Sequence, residues 1–113
     1  MPLIKTLDQG IAAGATIFPW QGNQYEFLPF DAQIEIALLA DAGDIWLASV
    51  FSGSDVLMQS SQIDEKALAS PVQFPEDYSL SDVAAGGERL GCSLTNNSVG
   101  VADVRTAVRI LPL

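Results

Sequence analysis

The sequence predicts an all-β protein: an antiparallel Greek-key or jelly-roll β-sandwich of about seven to nine strands in a single domain, residues 1–113. Three observations lead to this prediction. Apolar and polar residues alternate over short runs, turn residues recur about every ten positions, and no stretch carries the 3.6-residue apolar stripe of an amphipathic helix. Short turns and missing crossover helices favour antiparallel pairing.

The first thirty residues are rich in aromatic side chains but irregular. Short β-like runs at 4–7, 11–18 and 23–28 are interrupted by glycine and proline. Five aromatic residues lie close together in sequence between positions 18 and 30: Phe18, Trp20, Tyr25, Phe27 and Phe30. Two interpretations stay open. Either these side chains pack in the core at the open end of the sandwich, or residues 1–22 form an extended arm that packs on a neighbouring subunit or another partner.

Two strands with one apolar face each are predicted over Ala32–Ala40 and residues 45–51. The turn residues at 41–44 suggest that these strands form a hairpin. Trp46 lies on the opposite side of the second strand from its two neighbours in sequence. It therefore either packs in the second layer or marks an exposed contact, and we expect the contact.

The middle of the chain is less regular. Residues 56–63 are typical of a short edge strand, and 64–69 of a helical turn or a loop. Two prolines and a glycine pair make 70–87 a long connection, with one short strand expected around 72–74. Such a connection suits a Greek-key crossover.

The C-terminal region predicts a second hairpin, in which residues 88–95 and 102–111 are joined by the turn at 96–100. Arg105 and Arg109 share the polar face of its last strand. They form either a solvated outer face or a positive stripe that pairs with carboxylates of a neighbouring copy and helps to set its register.

The charge of the chain limits its partners. Fourteen acidic residues against five basic ones give a formal net charge of −9 and a pI near 4.1. Nucleic acid and anionic lipid are therefore poor partners. No apolar run approaches the ~20 residues that span a bilayer, and the start of the chain does not have the pattern of a signal peptide. We expect a soluble protein made in the cytoplasm.

The residues for ordinary catalysis are scarce. Without any histidine, the chain lacks the commonest general base and the usual ligand of zinc. Cys92 lies on the apolar side of its strand, so we expect it in the core. Paired glutamates could hydrolyse glycosides, but nothing in the sequence places two across a cleft. The candidates are Glu26, Glu35, Glu65, Glu76 and Glu88. We expect no enzymatic activity and no cofactor.

Acidic residues in the turns leave a structural calcium site open, because calcium takes oxygen ligands from such loops. They are Asp41, Asp44, Asp55, Asp64, Glu65, Glu76 and Asp77. The chain has no D-x-D-x-D-G pattern, and turns favour aspartate for local hydrogen bonding. We therefore assign no metal ligand.

Six short motifs follow one another along the chain. They are QGNQYEFLP at 21–29, IALLAD at 36–41, VFSGSDV at 50–56, PEDY at 75–78, GERL at 87–90 and VRTAVRILP at 104–112. In this layout the chain resembles the small jelly-roll decoration, or cement, proteins on the capsids of tailed phages. The resemblance covers most of the chain and contains no catalytic fingerprint.

The resemblance implies a mechanical role on the outside of a virion. Copies, commonly homotrimers, would bind at symmetry axes of the shell and clamp neighbouring subunits of the major capsid protein. The acidic charge agrees with an outer position, because a protein facing the packaged genome is expected to be positive. The expected contact residues are Phe18, Trp20, Tyr25, Phe27, Phe30, Trp46, Arg105 and Arg109. The alternative is a carbohydrate-binding β-sandwich, calcium-dependent or not, that uses its tryptophans.

Overall fold

The computed structural model describes residues 3–113, and this part of the chain forms nine strands and no helix. The strands are β1 (Leu3–Ile11), β2 (Thr16–Ile17), β3 (Ala32–Ala40), β4 (Trp46–Ser52), β5 (Asp55–Gln62), β6 (Asp64–Glu65), β7 (Tyr78–Ala84), β8 (Leu90–Asn96) and β9 (Ala102–Pro112). This count agrees with the number of strands expected from the sequence.

The strands form two sheets. Sheet A has the order β1-β9-β3, and the free edge of β3 pairs with β7 over one part and with β6 over another. Sheet B has the order β2-β8-β4-β5. The pairing is antiparallel except between β3 and β6. One hydrophobic core takes residues from both sheets, so the prediction of an all-β, largely antiparallel sandwich is confirmed.

Both predicted hairpins are wrong, although their strands exist. β3 lies in sheet A and β4 in sheet B, and β8 and β9 are separated in the same way. The turns at 41–45 and 97–101 therefore cross from one sheet to the other. Alternation indicates which face of a strand is buried, but it does not identify the strand with which it pairs. The apolar faces of two consecutive strands can meet across the core from opposite sheets as well as lie side by side in one sheet.

The strand expected around 72–74 is also misplaced, because the strand of this region is β7 at Tyr78–Ala84. Prolines 71 and 75 flank the expected position, and proline cannot donate to a sheet ladder. Residues 66–77 instead run over the outer face of sheet A, and we call them the cover segment. It begins at a backbone hydrogen bond of 2.8 Å from Lys66 to the last residue of β3.

The N-terminal segment does not form an arm within the described residues. β1 pairs with β9 from Leu3 to Ile11, with a bulge after Asp8, and β2 pairs with β8. Met1 and Pro2, which belong to the predicted arm, lie outside the described residues. The sequence appeared irregular because β1 is an edge strand, with alternate residues exposed, and because a glycine turn separates it from the short β2.

A buried chain of hydrogen bonds ties the segment after β2 to sheet A. The indole Nε1 of Trp20 donates to Thr106 Oγ1 at 2.9 Å, and Thr106 Oγ1 shares a hydrogen bond of 2.6 Å with Thr6 Oγ1. Trp20 and Thr106 are both buried. The tryptophan is therefore held in the core by its polar edge as well as by its apolar surface.

Replacing Thr106 by valine is expected to lower the free energy of unfolding by about 1–3 kcal/mol, because the buried Trp20 N–H loses its acceptor at nearly constant side-chain volume. Urea unfolding of both proteins measures the difference. Thr95→Val is the control, since the Thr16–Thr95 hydroxyl pair is exposed to water. Equal effects of the two substitutions would contradict the buried chain.

Candidate functional site

The structure divides the predicted contact residues into buried and exposed groups. Trp46 is 0% exposed and packs in the core, so the expectation that it marks an exposed contact is wrong. Its strand does alternate as predicted, but the face with Trp46, Ala48 and Val50 is the inner one. Trp20 is also buried, and Tyr25 and Phe30 pack against the core.

Phe18 and Phe27 remain on the surface, with 57% and 59% of their areas exposed. Phe27 lies opposite Arg89 in an antiparallel bridge, so the two side chains share one face. Phe18 and Arg89 line the same cleft on the outer face of sheet B. Sequence analysis thus identified two exposed aromatic residues, but could not separate them from the buried ones.

Gly91 explains how this cleft is formed. A Cβ atom at Gly91 would lie 1.9 Å from Cζ of Phe51, so the Phe51 ring rests directly on the glycine backbone. The resulting cleft has a volume of about 160 Å³ and is lined by Phe18, Phe51 and Gly91, among others. We call Phe18, Phe27, Phe51 and Gly91 the aromatic patch. A lone glycine inside a strand pattern is the signal that could have indicated it.

An ion pair borders the aromatic patch. Glu26 Oε2 accepts a hydrogen bond of 2.7 Å from Arg89 Nε, and Glu26 Oε1 accepts one of 2.9 Å from the Gly22 backbone. The two terminal nitrogens of Arg89 make no hydrogen bond within residues 3–113. Arg89 is thus oriented through one nitrogen, and its two terminal nitrogens remain open donors within the described residues.

Acidification is expected to remove the stability that this ion pair contributes. The Gly22 N–H and then the Arg89 guanidinium lower the pKa of Glu26 below its usual value of 4.5. Because the lowered pKa belongs to the folded state, the contribution is complete above the usual pKa and disappears as the pH falls through the lowered one. Urea unfolding midpoints measured across this range should therefore fall less in Glu26→Gln than in the unmodified protein. Parallel pH profiles would contradict this.

Arg105 and Arg109 do share the outer face of sheet A, but both have partners within the chain. Arg105 Nη1 donates to the Ser70 carbonyl at 2.6 Å, and Nη2 donates to that of Ala67 at 3.1 Å. Arg109 forms an ion pair with Glu35 at 3.5 Å and lies under the Phe74 ring, 3.5 Å from its centroid. Sequence analysis did not predict that these two arginines attach the cover segment to sheet A. Their pairing with a neighbouring copy stays a prediction.

A groove opens between the cover segment and β1 on the outer face of sheet A. It has a volume of about 340 Å³, and we call it the sheet-A groove. Its side-chain lining is Lys5, Leu7, Leu68, Pro71, Val72 and Arg105, with Thr6 and Thr106 behind. Leu7 lies opposite Arg105 in the sheet register, which places an exposed leucine beside a guanidinium.

The structure locates the side chains that the sequence offered for catalysis or metal binding. Cys92 is buried, as predicted, and burial raises the pKa of its thiol to about 12, so the reactive thiolate is scarce at neutral pH. Glu26 and Glu35 are engaged by arginines. Within residues 3–113, no three acidic or cysteine side chains are grouped so that they could hold a metal ion.

Comparisons with known proteins do not add a family to this description. No protein-family model, curated protein or solved structure matches the chain. Among the described residues, no helix is long and apolar enough to cross a membrane. What the fold and surfaces define is a small β-sandwich with an aromatic patch on one sheet and a covered groove on the other.

Proposed function

We propose that this chain is a non-enzymatic structural protein of a phage virion, which binds the outer surface of the capsid and clamps neighbouring coat subunits. The order of the strands carries the proposal. Without the two-residue β6, the sheets read β1-β9-β3-β7 and β2-β8-β4-β5. Two four-stranded sheets linked by repeated crossings support an eight-stranded jelly roll, an architecture of viral capsid and lectin domains.

The charge supports an outer position on the shell. The net charge of −9 would be repelled by a packaged genome, so it favours the surface that faces away from nucleic acid. The proposed partner is the major capsid protein, and the proposed assembly is a homotrimer. Synthesis would take place in the cytoplasm of the bacterial host.

The aromatic patch is the surface best suited to the coat protein. Phe18 and Phe27 are exposed, and Phe51 is held in place by its contact with Gly91. Rigid aromatic side chains beside an oriented arginine are typical of residues that dominate binding energy at protein interfaces. The unoccupied donors of Arg89 would find carbonyl or carboxylate acceptors there.

Co-sedimentation with capsids tests this proposal. Shells are assembled from the major capsid protein that is the proposed partner, mixed with increasing amounts of the purified chain, and separated on a density gradient. We expect saturable binding at a fixed ratio to the coat subunits. Phe27→Asp should weaken binding by about thirty-fold or more, as expected for an interface residue worth about 2 kcal/mol.

Val83→Asp is the matched control, because Val83 is a similarly exposed apolar residue on β7 in sheet A, whereas the aromatic patch lies on sheet B. It should bind the shells like the unmodified chain. Absence of co-sedimentation at any ratio would overturn the proposed function. Equal loss in both variants would reject the aromatic patch as the contact surface.

A carbohydrate-binding module is the second candidate, and the cleft beside Phe18 is the observation that favours it. The two tryptophans that first suggested this function are buried, but the cleft combines aromatic walls with the free donors of Arg89. Glycan-array binding that is lost in Phe18→Ala would support this candidate. An array without signal, with and without calcium, would eliminate it.

A further inference from the structure

The loop between β8 and β9 exposes apolar side chains to an unusual degree. Val99 is fully exposed and Val101 is 71% exposed, and the adjacent Ile45 is partly exposed as well. We call residues 97–101 together with Ile45 the knob. Because these side chains are exposed, they contribute no hydrophobic stabilisation to the fold. Their apolar character therefore points to a contact outside the chain.

The knob is held in a fixed shape. The side chain of the buried Asn96 donates to the Gly100 carbonyl at 3.0 Å and accepts from the Ser98 N–H at 2.9 Å. Ser98 Oγ accepts from the Ile45 N–H at 2.7 Å and donates to the Ile45 carbonyl at 3.2 Å. Because the loop is already ordered, docking it onto a partner costs little conformational entropy.

The base of the knob is acidic. Asp44, next to Ile45, accepts a hydrogen bond of 2.9 Å at its Oδ2 from the Asp103 backbone N–H, and Asp103 Oδ1 accepts one of 2.8 Å from the Gly10 N–H. Asp41 is joined to the same place by its backbone bond to the Asp103 carbonyl at 3.1 Å. None of the three forms an ion pair within residues 3–113.

The sheet-A groove has the opposite character. Three of the five basic side chains, Lys66, Arg89 and Arg109, are each paired with a carboxylate. The other two, Lys5 and Arg105, have no carboxylate partner within the described residues, and both line this groove together with Leu7 and apolar residues of the cover segment. On a strongly acidic chain, this groove places two basic side chains that form no ion pair within the described residues beside apolar surface.

We propose that copies of this chain associate head to tail, with the knob of one copy seated in the sheet-A groove of the next. Val99 and Val101 would cover Leu7 and its apolar neighbours, while the carboxylates at the base of the knob would face Lys5 and Arg105. Two different surfaces meet in this contact, so it is heterologous and closes into a ring when the rotation permits. The inference rests on the self-association included in the proposed function, and gives it a surface.

Mixing two complementary variants tests the contact. Val99→Asp disables the knob and keeps the groove, whereas Leu7→Asp disables the groove and keeps the knob. We expect a trimer for the unmodified chain, monomers for each variant alone, and a dimer of one copy of each variant when they are mixed. Native mass spectrometry of a mass-tagged pair measures all three states. The self-association constant of each variant should fall about thirty-fold or more.

Two control variants distinguish the loss of this contact from a general effect of an added surface charge. Val56→Asp and Val83→Asp place the same charge at exposed valines on β5 and β7, outside the knob and the groove, and should remain trimeric. Lys5→Glu is a second groove variant, because Lys5 is exposed and its reversal leaves the apolar lining intact. It should weaken association at low salt and lose this effect at high salt.

A monomeric unmodified chain at all concentrations would overturn the inference, as would trimers of Val99→Asp and Leu7→Asp, or a mixture without the mixed dimer. Shell binding is read separately. If the unmodified chain binds shells while both variants stay trimeric, the knob contact fails and the proposed function stands. If the mixed dimer forms but shells are not bound, the contact stands and the proposed function fails.

Discussion

Replacing Trp46 by alanine is expected to lower the free energy of unfolding by about 3–5 kcal/mol. The indole is fully buried between the two sheets, and its Nε1 donates to the Asp103 carbonyl at 3.1 Å. Alanine would leave a cavity in the shared core and remove the donor from that carbonyl. Chemical denaturation followed by circular dichroism measures the change, and Trp20 provides a fluorescence signal in the variant.

Two substitutions make this result interpretable. Trp46→Phe keeps most of the ring volume and should lose clearly less stability than alanine. Ile45→Ala, one residue earlier and partly exposed, should change the stability by about 0.5 kcal/mol or less. A loss below about 1 kcal/mol in Trp46→Ala would show that the side chain is not part of the core, and would return Trp46 to the candidate contact surface.

Replacing Arg105 by methionine is expected to release the cover segment and to cost about 2 kcal/mol, within the range for hydrogen bonds to a charged donor. Arg105 joins β9 to the carbonyl groups of Ala67 and Ser70, and the Ala67 carbonyl also accepts a hydrogen bond of 2.9 Å from the Ser70 N–H. Methionine keeps much of the apolar stem of the side chain, so the loss reports mainly on the guanidinium. Hydrogen exchange should accelerate in residues 66–77 and remain slow in β3 and β9.

Arg105→Lys provides the stricter comparison. Lysine keeps the positive charge but cannot present two donors in the planar geometry of a guanidinium, so exchange in the cover segment should be intermediate. Arg89→Met controls for the removal of an exposed arginine, and should leave exchange in the cover segment unchanged. Protection of residues 66–77 that is insensitive to Arg105 would mean that the segment is held by Leu68, Val72 and Phe74 instead.

Basic residues determine how the cover segment is held. Lys66 pairs with Asp77 at 2.5 Å, and this contact and the Gln73 N–H lower the pKa of Asp77. Arg105 and Arg109 thus hold the cover segment to sheet A, while Lys66 and Asp77 join the two ends of the segment to each other. The sequence predicted either a solvated outer face or a positive contact stripe for Arg105 and Arg109. Neither prediction included a role in holding the cover segment.

Much of the fold could be predicted because the strands of a sandwich carry local signals. The alternation in β3 and β8 identified their buried faces, whereas the charge and the missing histidine gave expectations about partners and chemistry. Cys92 was placed in the core for the same reason. Edge strands such as β1 and β7 carry weaker signals, since only one side of the ladder and part of one face are covered.

The candidate site was predictable only in part. Phe18 and Phe27 were named among five aromatic residues, but a phenylalanine has the same local signature whether it faces the core or water. The aromatic patch depends on Phe51 resting on Gly91, two residues forty positions apart. The sheet-A groove depends in the same way on a cover segment that reaches back to Arg105.

By itself, then, the sequence determined an acidic, histidine-free chain of short alternating strands that closes into a β-sandwich. Only the tertiary structure decided which sheet each strand joins, that Trp46 points inward, and that the two arginines of β9 hold the cover segment. The physical reason is that a period of two fixes the two faces of a strand, whereas its neighbours and the identity of the inner face follow from contacts between residues distant in sequence.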